Sequence, residues 1–164
     1  MSEETATFPT DPEAPGRTES NRRVVVGVDG SPSSKEALRW ALRQAALIHG
    51  GVDAVMSWQY PPHYGSLGWT PPAGDYDPAA VAEQVLKDSL AEVAGPTPAV
   101  PVRAHVVHNT AADALLGYAV DAEVLVVGSR GHGGFVGAVL GSVAQHCTQH
   151  APCPVVVVRG PGAS

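Results

Sequence analysis

The chain is expected to fold as α/β: a single doubly wound domain with a five-stranded parallel sheet and helices on both faces. Three observations lead there. Five short, valine-rich runs are separated by segments of helical period, by turns and by loops. The first, fourth and fifth runs are continuously apolar rather than alternating, as strands covered on both faces are. Strands and helices alternate along the chain, which calls for parallel pairing through crossover helices. A length of 164 residues suits one domain with its own core.

Residues 1–21, MSEETATFPTDPEAPGRTESN, are acidic and contain proline but no apolar core of a signal peptide. They are expected to be a disordered tail ahead of a domain at 22–160, with a flexible end at 161–164. The first strand begins at Arg23 with Val24-Val25-Val26-Gly27-Val28 and ends in the turn Asp29-Gly30-Ser31-Pro32. Ser33 and Glu36 have the spacing of a capping box. Leu38, Ala41, Leu42, Ala45 and Ile48 then follow helical period until Gly50-Gly51. Val52 to Trp58 is the second strand.

Gln59 to Asp77 holds four prolines and three glycines and has neither period. It is expected to be a long surface loop of the kind that often covers a site. Asp77-Pro78 fits an N-cap followed by proline at the first helical position. Val85, Leu86, Ser89, Leu90 and Val93 mark the inward face of that helix, and Gly95-Pro96 ends it. In the third strand, Val102 to Val107, Arg103 and His105 alternate with apolar residues, which predicts a wet face near a sheet edge. Thr110 is placed to cap a third helix. Val124 to Val127 is the fourth strand, about Gly141 to His150 the fourth helix, and Val155 to Val158 the fifth strand.

Ten Lys plus Arg against sixteen Asp plus Glu give a net charge of -6, which speaks against a nucleic-acid partner. No apolar run reaches the ~18 residues of a membrane span. Cytoplasm is the expected compartment, and Cys147 and Cys153 are expected to be reduced. His146 and His150 share a helix face, but no third ligand with a clear spacing joins them, so surface histidines are expected there.

Between the fourth strand and the fourth helix lies GSRGHGGFVGAVLGS, Gly128 to Ser142, with glycine at six of fifteen positions. It lacks the lysine of a Walker A loop and does not complete GxGxxG. Glycines nevertheless let backbone amides reach phosphate oxygens, and a helix start at Gly141-Ser142-Val143 adds unpaired amides. A flexible loop with glycines for turns is the competing reading, and composition alone does not separate the two. Asp29 could contact a ligand or serve the turn. Arg130 could neutralise phosphate or be solvated, and Ser142 could bind phosphate or cap its helix.

The spacing is more specific than the number of glycines. Gly128-x2-Gly131-x9-Gly141-Ser142 resembles the G-2x-G-9x-G-(S/T) signature of the nucleotide-binding branch of the universal stress protein family. VVVGVDGSPSS at Val24, EVLVVGSRGHGG at Glu123 and HAPCPVVVVR at His150 are similar to that family as well. The resemblance implies the strand order 3-2-1-4-5, with Asp29 and Gly128 meeting where the order reverses. It implies ATP there, with Mg2+. Asp29, Gly30 and Ser31 would lie near the adenosine, Val55 against adenine, and Gly128, Ser129, Arg130, Gly131, Gly141, Ser142 and Val143 along ribose and phosphates. It further implies a homodimer through Val155–Val158. The expected function is a regulatory ATP sensor in stress response acting on an unknown protein partner. The alternatives are a slow ATP hydrolase and a nucleotide-free interaction dimer. No base for hydrolysis is evident near the phosphates, and a cyclic nucleotide or monophosphate fits the motif as well as ATP. Asn109 and Glu123 depart from the residues common in the family, without touching the motif.

Overall fold

The computed structural model describes residues 22–60, 77–131 and 140–161. The expected acidic tail, most of the Gln59–Asp77 loop, the segment joining Gly131 to Leu140 and residues 162–164 lie outside these. The described chain runs β1 (Arg23–Gly27), α1 (Pro32–Leu47), β2 (Gly51–Trp58), α2 (Pro78–Val93), β3 (Val102–His108), α3 (Ala111–Ala119), β4 (Val124–Gly128), α4 (Ser142–His150) and β5 (Val155–Val158). All pairings are parallel, and the sheet order is β3-β2-β1-β4-β5, as expected.

Alternation along the central strand sorts the core into two layers. Val24 and Val26 pack with Ala37, Leu38 and Ala41 of α1 and Leu86 of α2. Val25 points the other way, toward Ala114 and Leu115 of α3 and Ala144 and Cys147 of α4. All three valines are fully buried, which is why β1 shows no polar alternation. Burial also pushes the Cys147 thiol up to about 11, and no disulfide forms.

The helix boundaries correct the sequence reading at two points. Ser31, not Ser33, caps α1: its hydroxyl accepts from the Ser34 amide at 3.2 Å. Pro32 then starts the helix, because its missing N–H costs nothing there and its φ is already helical. The Ser33–Glu36 box does not form; Glu36 pairs with Arg39 instead. At the other end, the left-handed residue is His49 (φ 55) rather than a glycine. Asp77 caps α2 (3.2 Å to the Ala80 amide) and Thr110 caps α3 (3.1 Å to the Asp113 amide), as the sequence predicts. Gly95, at φ +72, supplies the left-handed residue after α2.

β3 is an edge strand, but its polar residues are not simply wet. Asp53, in the middle of β2 and 1% exposed, gathers them. Arg23 reaches it at 2.9 Å, Arg103 at 2.8 Å and His105 at 3.0 Å. Burial works to raise the Asp53 pKa. The His105 hydrogen bond and the charges of Arg103, His105 and Arg23 outweigh it and hold the carboxyl below its ordinary value. Arg23 also donates to the carbonyls of Tyr118 (3.1 Å) and Val120 (2.9 Å). These groups at the end of α3 have no acceptor role left within the helix, so the same arginine ties α3 to the sheet.

Candidate functional site

In a parallel sheet of this order, β1 and β4 leave in opposite directions, to α1 and α4, and a crevice opens beyond their carboxyl ends. A cavity of about 340 Å³ lies there. Asp29, Val55, Gly128, Arg130, Gly131, Gly141, Ser142 and Val143, all named from the sequence, line it. Gly30, Ser31 and Ser129 do not.

Those three act on the site's shape. Gly30 has φ 81, a conformation that suits glycine. It turns the chain so that the Ser31 amide donates to Asp29 Oδ1 at 2.9 Å, which aims the carboxylate. Ser129 is buried. Its amide donates to the Val158 carbonyl at 2.8 Å, and its own carbonyl accepts from the Gly141 amide at 2.7 Å. That second bond ties the start of the glycine stretch to its end, twelve residues on.

The glycines have separate reasons. A Cβ at Gly128 would come within 2.9 Å of the Ser33 carbonyl carbon and 3.0 Å of the Ser34 nitrogen, so the first turn of α1 packs directly on the end of β4. Ser33, buried by that packing, donates its hydroxyl hydrogen to the Arg130 carbonyl. A Cβ at Gly131 would meet Asp29 Oδ2 at 2.5 Å. Gly141 is extended, with φ -69 and ψ 163, which any residue adopts. Its restriction is crowding, with Arg130 Cα 3.3 Å from a would-be Cβ.

Gly141 has no side chain to cap α4, and the first intrahelical bond runs from the Gln145 amide to the Gly141 carbonyl at 3.0 Å. The amides of Ser142, Val143 and Ala144 therefore lack helical acceptors, at the positive end of the helix, on the cavity wall. That is a seat for an anion. The opposite wall is apolar: Val28, Val55, Ala111 and Leu115. The Val55 side chain belongs to this wall, while its carbonyl accepts from the Val28 amide at 2.9 Å. A flat apolar group at one end and an anion at the other suits the site's shape and polarity.

The lining residues that the sequence reading missed include Val28, Ser34, Ser57, Ala111, Leu115 and Ala144. Ser57 follows Val55 by two residues on a strand, hence on the same face. That signal was present but had no motif attached to it.

Fold and site together define a doubly wound α/β protein whose crevice lies at the β1/β4 switch. The chain belongs to the universal stress protein family, whose model matches residues 20–159. It is 35% identical over 151 residues to universal stress protein Rv2623 of Mycobacterium tuberculosis, covering 85% of this chain and 48% of that protein. It is 37% identical over 142 residues to universal stress protein Rv1996 of the same organism, covering 84% and 44%. The chain thus spans about half the length of these relatives. Among solved structures, a universal stress protein in complex with cAMP aligns with TM-score 0.62 and 27% identity, over 85% of this chain and 98% of that one. UspA of Lactobacillus plantarum aligns with TM-score 0.68 and 20% identity over 87% and 100%, a likeness of fold. Among the described residues, no helix is long and apolar enough to cross a membrane.

Proposed function

We propose that the chain is a cytoplasmic ATP-binding regulator of stress response that holds the nucleotide in the β1/β4 cavity. The carrying observation is the uncapped head of α4, with the free amides of Ser142, Val143 and Ala144 facing the same cavity as the apolar wall from β2 and α3. The phosphates take the α4 amides and Gly131, and the adenine takes the wall of Val28, Val55 and Leu115. Asp29, Gly30 and Ser31 form the turn beside the ribose. The cAMP complex of a 27% identical structure supports an adenine nucleotide as the ligand class.

Mg2+ fits as a companion of the phosphates rather than as a resident ion. Asp29 puts one carboxylate oxygen against Gly131, and no group of three or more metal-ligating side chains occurs among the described residues. Mg2+ binds through one or two carboxylates plus phosphate oxygens, and it would neutralise phosphate charge there. Asp29 and Arg130 are the two charged side chains on the described wall. This set supports binding more than hydrolysis, which needs a group to orient water. The bound form acts by altering a surface read by a regulatory protein partner, and two copies associate through β5.

The test is direct. Purified protein is denatured and released nucleotide is identified by chromatography, and ATP and Mg2+ are titrated into nucleotide-free protein by calorimetry. The expected result is stoichiometric ATP binding strengthened by Mg2+. Neither released nucleotide nor measurable binding would overturn the reading.

A further inference from the structure

Ser57 belongs to no motif, yet it lines the cavity at the carboxyl end of β2. The phosphate end of the cavity is fixed by α4 and by the glycines after β4. β2 is two strands from β4, with β1 between them, and two inter-strand spacings make about 10 Å. Ser57 therefore stands at the far, apolar end, beside Val55, Ala111 and Leu115.

Five polar side chains line the described wall: Asp29, Ser34, Ser57, Arg130 and Ser142. The Ser34 hydroxyl is engaged within the α1 cap, donating to the Ser31 carbonyl at 3.1 Å and accepting from the Asp29 amide at 3.3 Å. Asp29 and Arg130 belong to the turn and the glycine stretch, and Ser142 belongs to the head of α4. Among the described residues the Ser57 hydroxyl has no hydrogen-bond partner. Among the described residues it is the one polar side chain left at that end to meet a polar base edge.

We infer that Ser57 reads the base of the bound nucleotide, holding purines that carry a polar group at position 6, whether amino or oxo. This rests on the nucleotide reading above. A hydroxyl both donates and accepts. It therefore accepts from a 6-amino group and donates to a 6-oxo group, where an amide or carboxylate would favour one. Ser57 senses the presence of the substituent and not its kind.

The experiment titrates AMP, IMP and purine riboside 5′-monophosphate, which has hydrogen at position 6, into the full chain and into Ser57→Ala and Ser57→Thr. Losing one neutral hydrogen bond should weaken AMP and IMP by about three- to tenfold in Ser57→Ala. The purine riboside phosphate should change by less than about twofold, having no such bond to lose. Ser57→Thr, which keeps the hydroxyl, should restore AMP and IMP. An equal loss on all three ligands, no loss on AMP, or a loss confined to AMP would overturn the inference while leaving nucleotide binding intact. A wild-type chain that binds none of the three would overturn the nucleotide reading itself.

Discussion

Asp29 and Gly131 face each other so closely that a methyl group on Gly131 would stand 2.5 Å from Asp29 Oδ2. The other oxygen, Oδ1, is held by the Ser31 amide at 2.9 Å, so the carboxylate cannot swing away without breaking its own turn. Gly131→Ala must displace either the carboxylate or the glycine stretch. Both lie on the cavity wall rather than in the core. The expected outcome is at least about a tenfold loss of ATP affinity by calorimetry, with a loss of stability under about 1 kcal/mol. Unchanged affinity would mean that neither group touches the ligand.

Gly128 belongs to the same motif but answers to different atoms. Its would-be Cβ meets the backbone of Ser33 and Ser34, which cannot rotate aside as a side chain can. Gly128→Ala therefore forces the first turn of α1 off β4, and overpacking of this kind costs about 1–3 kcal/mol. Urea denaturation should show that loss. Gly128→Ala as stable as the wild type would show that α1 is free to shift.

The two glycines illustrate what a sequence can carry. Spacing pointed to the cavity that Gly128, Gly131 and Gly141 line, since they stand at intervals tied to a strand end and a helix start. The alternation of elements and the capping signals at Asp77 and Thr110 are local, and they were legible. The reasons for each glycine were not, because Ser33 and Asp29 are near in space and remote in sequence. Ser33 was misread for the same cause. Its spacing to Glu36 fits a cap, while its true partner is Arg130, 97 residues away. Arg103 and His105 suggested a wet face because the alternation pattern does not reveal that a buried Asp53 sits opposite on β2.

That buried acid sets a pH dependence. Asp53 has its pKa lowered on folding, so its contribution to stability is complete above the unfolded value of about 3.9. It is lost as pH falls through the lower folded value. Stability should therefore decline below about pH 4. Asp53→Asn leaves Arg23 and Arg103 beside a neutral amide. Removing one partner of a buried ion pair costs about 3–5 kcal/mol. The variant should lose about that much at pH 7, measured by denaturant, and its stability should fall less steeply at acid pH. An equal acid limb in both proteins would remove Asp53 from the explanation.

The proposed association through β5 has a backbone test. The Leu125 amide donates to the Pro154 carbonyl and the Ser129 amide to the Val158 carbonyl, both at 2.9 Å or less. In a parallel ladder this register turns the amides of Val155 and Val157 away from β4. Val157→Pro deletes an outward donor and spares the ladder to β4, as proline at a sheet edge does. If β5 is the pairing edge, sedimentation should show wild-type dimers and Val157→Pro monomers. Dimers of equal strength in both would place the interface elsewhere.

The proposed anion seat can be tested apart from the rest of the site by one substitution at the head of α4. Ser142 is the first residue of α4, and Gly141 before it is extended, at ψ 163. Proline is accepted at a first helical position, and it favours an extended residue before it. Ser142→Pro therefore removes the amide and the hydroxyl together while leaving the helix start intact. The amide of a helix N-terminus and a hydroxyl bonded to a charged phosphate are each worth about 1.5–3 kcal/mol. AMP and ATP should bind at least about tenfold more weakly to Ser142→Pro by calorimetry. Adenosine, which has no phosphate, should bind as it does to the wild type. Equal losses for adenosine and AMP would mean that the substitution disturbs the whole cavity, and the head of α4 would no longer be the phosphate site.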